Sequence, residues 1–205
     1  MKWINICLIF FITVAFSAGE VEYFPEGKLD LNTEIDRYEI QWYSYCLSLM
    51  QEPSLWEISK NSKNEIYRFL LLRSFNNPVC LRVEIKRSGD ALVYIKILHA
   101  HQEKLITDEI KSVSKNDVLS LMTKLAKANF WEIKPSDHPA TKILDDGSIV
   151  GIADGSDWIF EGIKNGEYQA FNVPNPTDSL FKADAMVELG KTFLSLAELE
   201  IENLR

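Results

Sequence analysis

Residues 66–97 read IYRFLLLRSFNNPVCLRVEIKRSGDALVYIKI, and this stretch decides the fold. Residues 66–75 are apolar on both parities except for Arg68 and Arg73. A strand covered on both faces reads this way. Asn76-Asn77-Pro78 is a turn, because Asn and Pro supply the backbone geometry that turns require. Val79, Leu81, Val83 and Ile85 then alternate with Cys80, Arg82, Glu84 and Lys86, the period of a half-buried strand. Ser88-Gly89-Asp90 reverses the chain again, and Ala91, Val93, Ile95 and Ile97 form the next apolar face. A weaker fourth strand is expected over 104–113. Segments that follow one another this closely form an antiparallel meander most simply.

Helices are expected on either side of the meander. Thr33 with Asp36 three positions on resembles a capping box. Ile35, Tyr38, Trp42, Tyr45, Cys46 and Leu49 then recur at helical spacing and are expected to be the buried face of a helix ending before Pro53. Ser114 with Asp117 opens a second helix, with Val118, Leu121, Met122 and Leu125 on its apolar face. Met186, Leu189, Phe193 and Leu196 mark a last one. Between these lies Lys164-Asn165-Gly166, flanked by the apolar runs 158–163 and 167–173. Asn-Gly in that setting is a strong hairpin signal. Strands cluster and helices fall between the clusters, so the expected class is α+β, an antiparallel β-meander plus a β-hairpin packed with about three helices. Residues 134–156 form the one long irregular stretch, though Ile143, Leu144, Ile149, Val150 and Ile152 allow a short strand pair around Asp145-Asp146-Gly147-Ser148. Trp42, Trp56, Trp131 and Trp158 are expected in the core.

The N-terminus carries Lys2, an apolar run over 6–16 broken only by Thr13, and then the small residues Ser17, Ala18 and Gly19. This is the pattern of a cleaved signal peptide, here residues 1–19, ahead of one domain over 20–205. The chain is therefore expected to be exported, periplasmic or secreted, with no stable membrane span once the leader is gone. The composition of the 205 residues is globular, with 46% hydrophobic and 25% charged residues. The formal net charge of -8 argues against nucleic acid as a partner, since phosphate binding rests on Lys and Arg. Two cysteines remain beyond the leader, Cys46 and Cys80. An oxidising compartment permits a disulfide between them, and two buried free thiols are the alternative.

Tyr67-Arg68-Phe69, Leu72-Arg73-Ser74-Phe75 with Pro78, Phe130-Trp131, and the run from Asp154 through Trp158 and Glu161-Gly162 to Gly166-Glu167-Tyr168 carry a resemblance. Over roughly residues 65–197 the chain is similar to a group of uncharacterised exported bacterial proteins. Gln169 stands where that group's hairpin carries a His. The resemblance implies export and a shared fold, and it supplies no activity.

Candidate chemistry is sparse. His99 and His101 share a parity, and with His138 they would make three metal ligands, but no HExxH or CxxC spacing accompanies them. Asp145, Asp146, Asp154, Asp157 and Glu161 cluster in sequence without the spacing of a calcium loop. Arg68 and Arg73 interrupt an apolar strand. They fit either an anion site or ion pairs fastening the fold, with Glu84, Glu109 or Glu161 as partners. Binding residues are therefore sought among Arg68, Arg73, Asp154, Asp157 and Glu161. No nucleophile elbow or phosphate loop is present, and no cofactor is expected. The reading that follows is a non-catalytic envelope protein that binds another protein or an envelope component. The alternatives are a carboxylate- or metal-dependent hydrolase using residues 136–161, and a secreted inhibitor or immunity-like protein.

Overall fold

The computed structural model describes residues 21–29, 34–151 and 155–200. Residues 1–19, read above as a leader, Thr33 and Asp154 lie outside the described residues. The elements run α1 (Glu34–Leu49), α2 (Leu55–Ser59), β1 (Glu65–Arg73), β2 (Val79–Ile85), β3 (Ala91–Leu98), β4 (Leu105–Val113), α3 (Lys115–Lys127), β5 (Thr141–Ile143), β6 (Ile149–Gly151), β7 (Ser156–Lys164), β8 (Glu167–Pro174) and α4 (Asp184–Leu196). The fold is α+β. The meander β1–β4 forms as expected, and the β7–β8 hairpin joins it through β1, so six strands make one antiparallel sheet in the order β4-β3-β2-β1-β7-β8. No helix among the described residues is long and apolar enough to cross a membrane.

Side chains alternate across the sheet, so it has two faces. Tyr67, Phe69, Leu71, Leu81, Val93, Phe160 and Phe171 pack with Leu121 and Leu125 of α3 and Met186, Leu189 and Phe193 of α4. Ile66, Leu70, Leu72, Cys80, Ile159 and Ala170 pack with α1, α2 and the N-terminal Tyr23, Phe24 and Leu29. Helices thus cover both faces of the central strands. This is why β1 is apolar on both parities, and why β2 is buried on both faces from Val79 to Val83 instead of half-buried.

Helix α1 buries a different face from the one its spacing suggests. Tyr43, Cys46, Leu47 and Met50 are the buried stripe, whereas Tyr38 is 72%, Trp42 49% and Tyr45 41% exposed. Both stripes have helical spacing and share Cys46, and the sheet face selects the one with the smaller side chains. Of the four tryptophans, Trp158 is in the core, Trp56 and Trp131 are half-buried at its margins, and Trp42 is exposed. The disulfide does not form. Cys46 and Cys80 are both buried free thiols in the cluster under α1. Burial pushes the Cys46 thiol up to about 12 and that of Cys80 well above its usual value.

One helix cap and three turns show how local sequence sets the architecture. Ser114 caps α3, its hydroxyl accepting from the Asp117 N–H at 3.2 Å and donating to the Asp117 carboxylate at 2.6 Å. Gln51, in the left-handed region at φ 53°, ends α1, and the Glu52 N–H donates back to the Leu47 carbonyl at 3.0 Å. The stretch 134–156 is less irregular than expected, because β5 and β6 pair around Asp145-Asp146-Gly147-Ser148 as a small exposed sheet of their own. At the β7–β8 tip, Asn165 and Gly166 have φ of 54° and 81°, both left-handed, as a two-residue hairpin requires. Gly166→Val is expected to cost about 1 kcal/mol or more, read as a lower urea midpoint. An unchanged midpoint would contradict this geometry.

Candidate functional site

The Gln51 turn drives Glu52 beneath α1 and onto the sheet, where it meets three cations. Arg82 donates through Nε to Glu52 Oε2 at 2.8 Å, Arg68 Nη1 lies 3.5 Å from the same oxygen, and Lys96 Nζ is 3.6 Å from Oε1. Arg68 is wholly buried and also holds Glu161, with Nε at 2.6 Å and Nη2 at 2.5 Å from Oε2. Tyr168 donates to Glu161 Oε1 at 2.9 Å. The cations also satisfy the end of the helix: Arg68 donates to the Pro53 carbonyl at 2.7 Å and Lys96 to the Met50 carbonyl at 2.7 Å. Burial raises the Glu161 carboxyl, and the Arg68 guanidinium opposes that rise.

This network fastens α1 to the sheet. Of the partners read from the sequence for Arg68 and Arg73, Glu161 holds Arg68, while Glu84 lies 3.7 Å from Arg82. Arg68 and Glu161 are buried beneath this layer, away from the cleft described next. Glu52 was not singled out from the sequence. Its signal is a carboxylate just past a helix C-terminus, where the helix dipole disfavours negative charge unless a specific partner compensates.

A cleft of about 370 Å³ opens along the exposed side of α1, from Glu39 to Leu49. Glu39, Trp42 and Tyr45 of α1 form one wall, and Arg73, Ser74 and Phe75 at the end of β1 form another. His101 and Glu103 of the β3–β4 turn and Gly155, Ser156 and Asp157 at the start of β7 complete it. The Trp42 and Tyr45 rings lie 6.0 Å apart. Strand β1 ends at Arg73, so Phe75 belongs to the turn. There it takes φ 64° and is 85% exposed. A large apolar residue in the left-handed region costs of order 1 kcal/mol and leaves its ring in water. The turn is braced, with the Ser74 N–H donating to the Gly155 carbonyl at 3.0 Å and the Gly155 N–H to Ser74 Oγ at 3.3 Å.

Asp157 lines this cleft, half-buried, beside the buried Tyr43 hydroxyl and Asn172. Burial raises its carboxyl above the ordinary value of 3.8, and the Tyr43 hydroxyl opposes that only in part. A carboxyl raised in the folded state binds its proton more tightly there than in the unfolded chain. Stability is therefore lost as pH rises from the ordinary value through the folded one. Asp157→Asn is expected to be more stable than the native protein at pH 7, with the difference vanishing below the ordinary carboxyl range. Thermal unfolding across pH checks this, and an Asn variant less stable at pH 7 would contradict it.

Arg73, Asp157 and His101 thus meet at one cleft. The three histidines do not form a metal site. The His99 and His101 rings are 6.2 Å apart, and His99 Nδ1 accepts the His101 backbone N–H at 3.2 Å. His138 lies past the turn Pro135–Asp137, half-buried, with its pKa lowered by that burial. Among the described residues no three His, Cys, Asp or Glu side chains are grouped to hold a metal ion. The acidic cluster read from the sequence is dispersed as well. Asp145 and Asp146 sit in the exposed β5–β6 turn, Asp157 in the cleft and Glu161 under α1. Compared with models of known protein families and with curated proteins, the chain matches none.

Proposed function

We propose that this protein is an exported, non-catalytic binding module of the cell envelope, and that its cleft takes a segment of another protein or an envelope component. The observation that carries the reading is Phe75: an exposed aromatic ring held in a strained turn, lining the same cleft as the exposed Trp42 and Tyr45. Folding alone gains nothing from that arrangement, whereas aromatic anchors are what binding surfaces use for most of their energy. Arg73, Asp157, Glu39 and Glu103 at the cleft supply polar contacts that orient an occupant. Export is supported by the leader pattern of residues 1–19 and by the resemblance to exported bacterial proteins.

The test pairs Trp42→Ala with Phe75→Gly. Glycine suits the φ at position 75, so the double variant is expected to fold with unchanged or higher stability. Affinity capture from the envelope of the producing cell is then compared for native protein, double variant and Leu119→Ala. Leu119 is 67% exposed on α3, on the opposite side of the sheet. Loss of a specific partner in the double variant, with retention in Leu119→Ala, is the expected result. Equal capture by all three would overturn the reading.

A further inference from the structure

The six-stranded sheet ends at β4, and among the described residues β4 pairs with β3 alone. Its outer edge is a row of backbone N–H and C=O groups able to template another strand. On the α3/α4 face it carries Glu109 and Lys111, opposite Ile95 and Val93. On the other face Ile110 lies opposite Tyr94, and Ile110 is 59% exposed. Tyr94 is in turn capped by the Arg82 guanidinium, 3.8 Å from its ring centroid.

We propose that β4 is the dimerisation edge of this protein, pairing antiparallel with β4 of a second copy about a two-fold axis through Ile110. The charges select that register. Around a two-fold perpendicular to the sheet, opposed residues share a face, so the axis lies between the two strands level with a residue that opposes its own copy. Centring it on Asp108, Glu109 or Lys111 opposes each of those charges to itself, which is unfavourable. Centring it on Ile110 sets Glu109 against Lys111 of the second copy, twice, where Lys111 already holds Glu198 of its own chain at 2.7 Å and would be shared between the two carboxylates, and Asp108 against Ser112, twice. Axes further out shorten the ladder. The Ile110 register also joins Tyr94 and Ile110 of both copies into one apolar row across the interface. Exposed charges on an edge strand ordinarily guard it against pairing. Here they exclude the other registers and leave one.

Sedimentation equilibrium of the purified protein in about 0.15 M salt, where the repulsion between two copies of net charge -8 is screened beyond contact range, reads the association. The expected result is a monomer–dimer equilibrium in the micromolar range, weakened about tenfold or more by Glu109→Lys. It is restored when Lys111→Glu is added to Glu109→Lys. Ile110→Cys should oxidise to a covalent dimer, since directly opposed Cα atoms lie within disulfide reach, while the native Cys46 and Cys80 are buried. A monomer at all concentrations up to about 0.1 mM would overturn the proposal. So would a dimer indifferent to Glu109→Lys, or an Ile110→Cys variant that does not cross-link.

Discussion

Arg68→Met is expected to lower the unfolding free energy by about 3–5 kcal/mol, because it leaves the buried Glu161 carboxylate without its counter-charge. The cost does not measure what the ion pair contributes. Desolvating two charges takes back most of their attraction, so the loss on single replacement reflects a stranded charge. The double variant Arg68→Met with Glu161→Leu is therefore expected to recover a large part of the loss, since no charge is then stranded at that point. Glu52 keeps Arg82 and Lys96 in either background. Urea unfolding of the three variants checks this. A single variant within about 1 kcal/mol of the native protein would show that the network is not closed to water.

Gly190→Ala is expected to destabilise by about 2–3 kcal/mol, although alanine is the better helix former. A Cβ on Gly190 would collide with Cζ3 of Trp158, lie 2.7 Å from its Cε3 and sit 3.2 Å from Cζ of Phe69. The indole is walled in by the Phe69 ring, at 5.1 Å between centroids, and Phe69 is stacked on Phe160 at 4.8 Å. No side chain in that row has room to retreat. The helix gives up about 1 kcal/mol of propensity at this position so that α4 lies close on the sheet. A thermal midpoint unchanged or raised in the alanine variant would contradict the packing.

The strands were legible because period-two alternation and Asn-Gly or Ser-Gly-Asp turns are local signals. Full burial of β1 was legible in its unbroken apolar run for the same reason. Which face of α1 is buried was not legible. The stripes through Trp42 and Tyr45 and through Tyr43 and Met50 are both apolar, and only the shape of the sheet beneath decides between them. That ambiguity hid the site, because Trp42 and Tyr45 read as core. Phe75 carried a usable signal, an aromatic inside Ser-Phe-Asn-Asn, where a turn offers nothing to pack against. Arg73, Asp157 and His101 were singled out by type. Their meeting at one cleft depends on β7 pairing beside β1, with Arg73 opposite Ser156 and Leu72 opposite Asp157. That contact joins residues more than 80 positions apart, and no local pattern encodes it. The disulfide failed for a related reason, since two cysteines on one buried face satisfy its sequence signature equally well as free thiols.

The aromatic cleft, and not another surface, is proposed to meet the partner. Site-specific photo-cross-linking in the producing cell tests it most directly, with a photoreactive phenylalanine analogue placed at position 75 and, separately, at position 119. Both positions are exposed, on opposite sides of the sheet. A discrete covalent adduct is expected from position 75, disappearing in the Trp42→Ala background, and none from position 119. An adduct from 119 with none from 75 would contradict it.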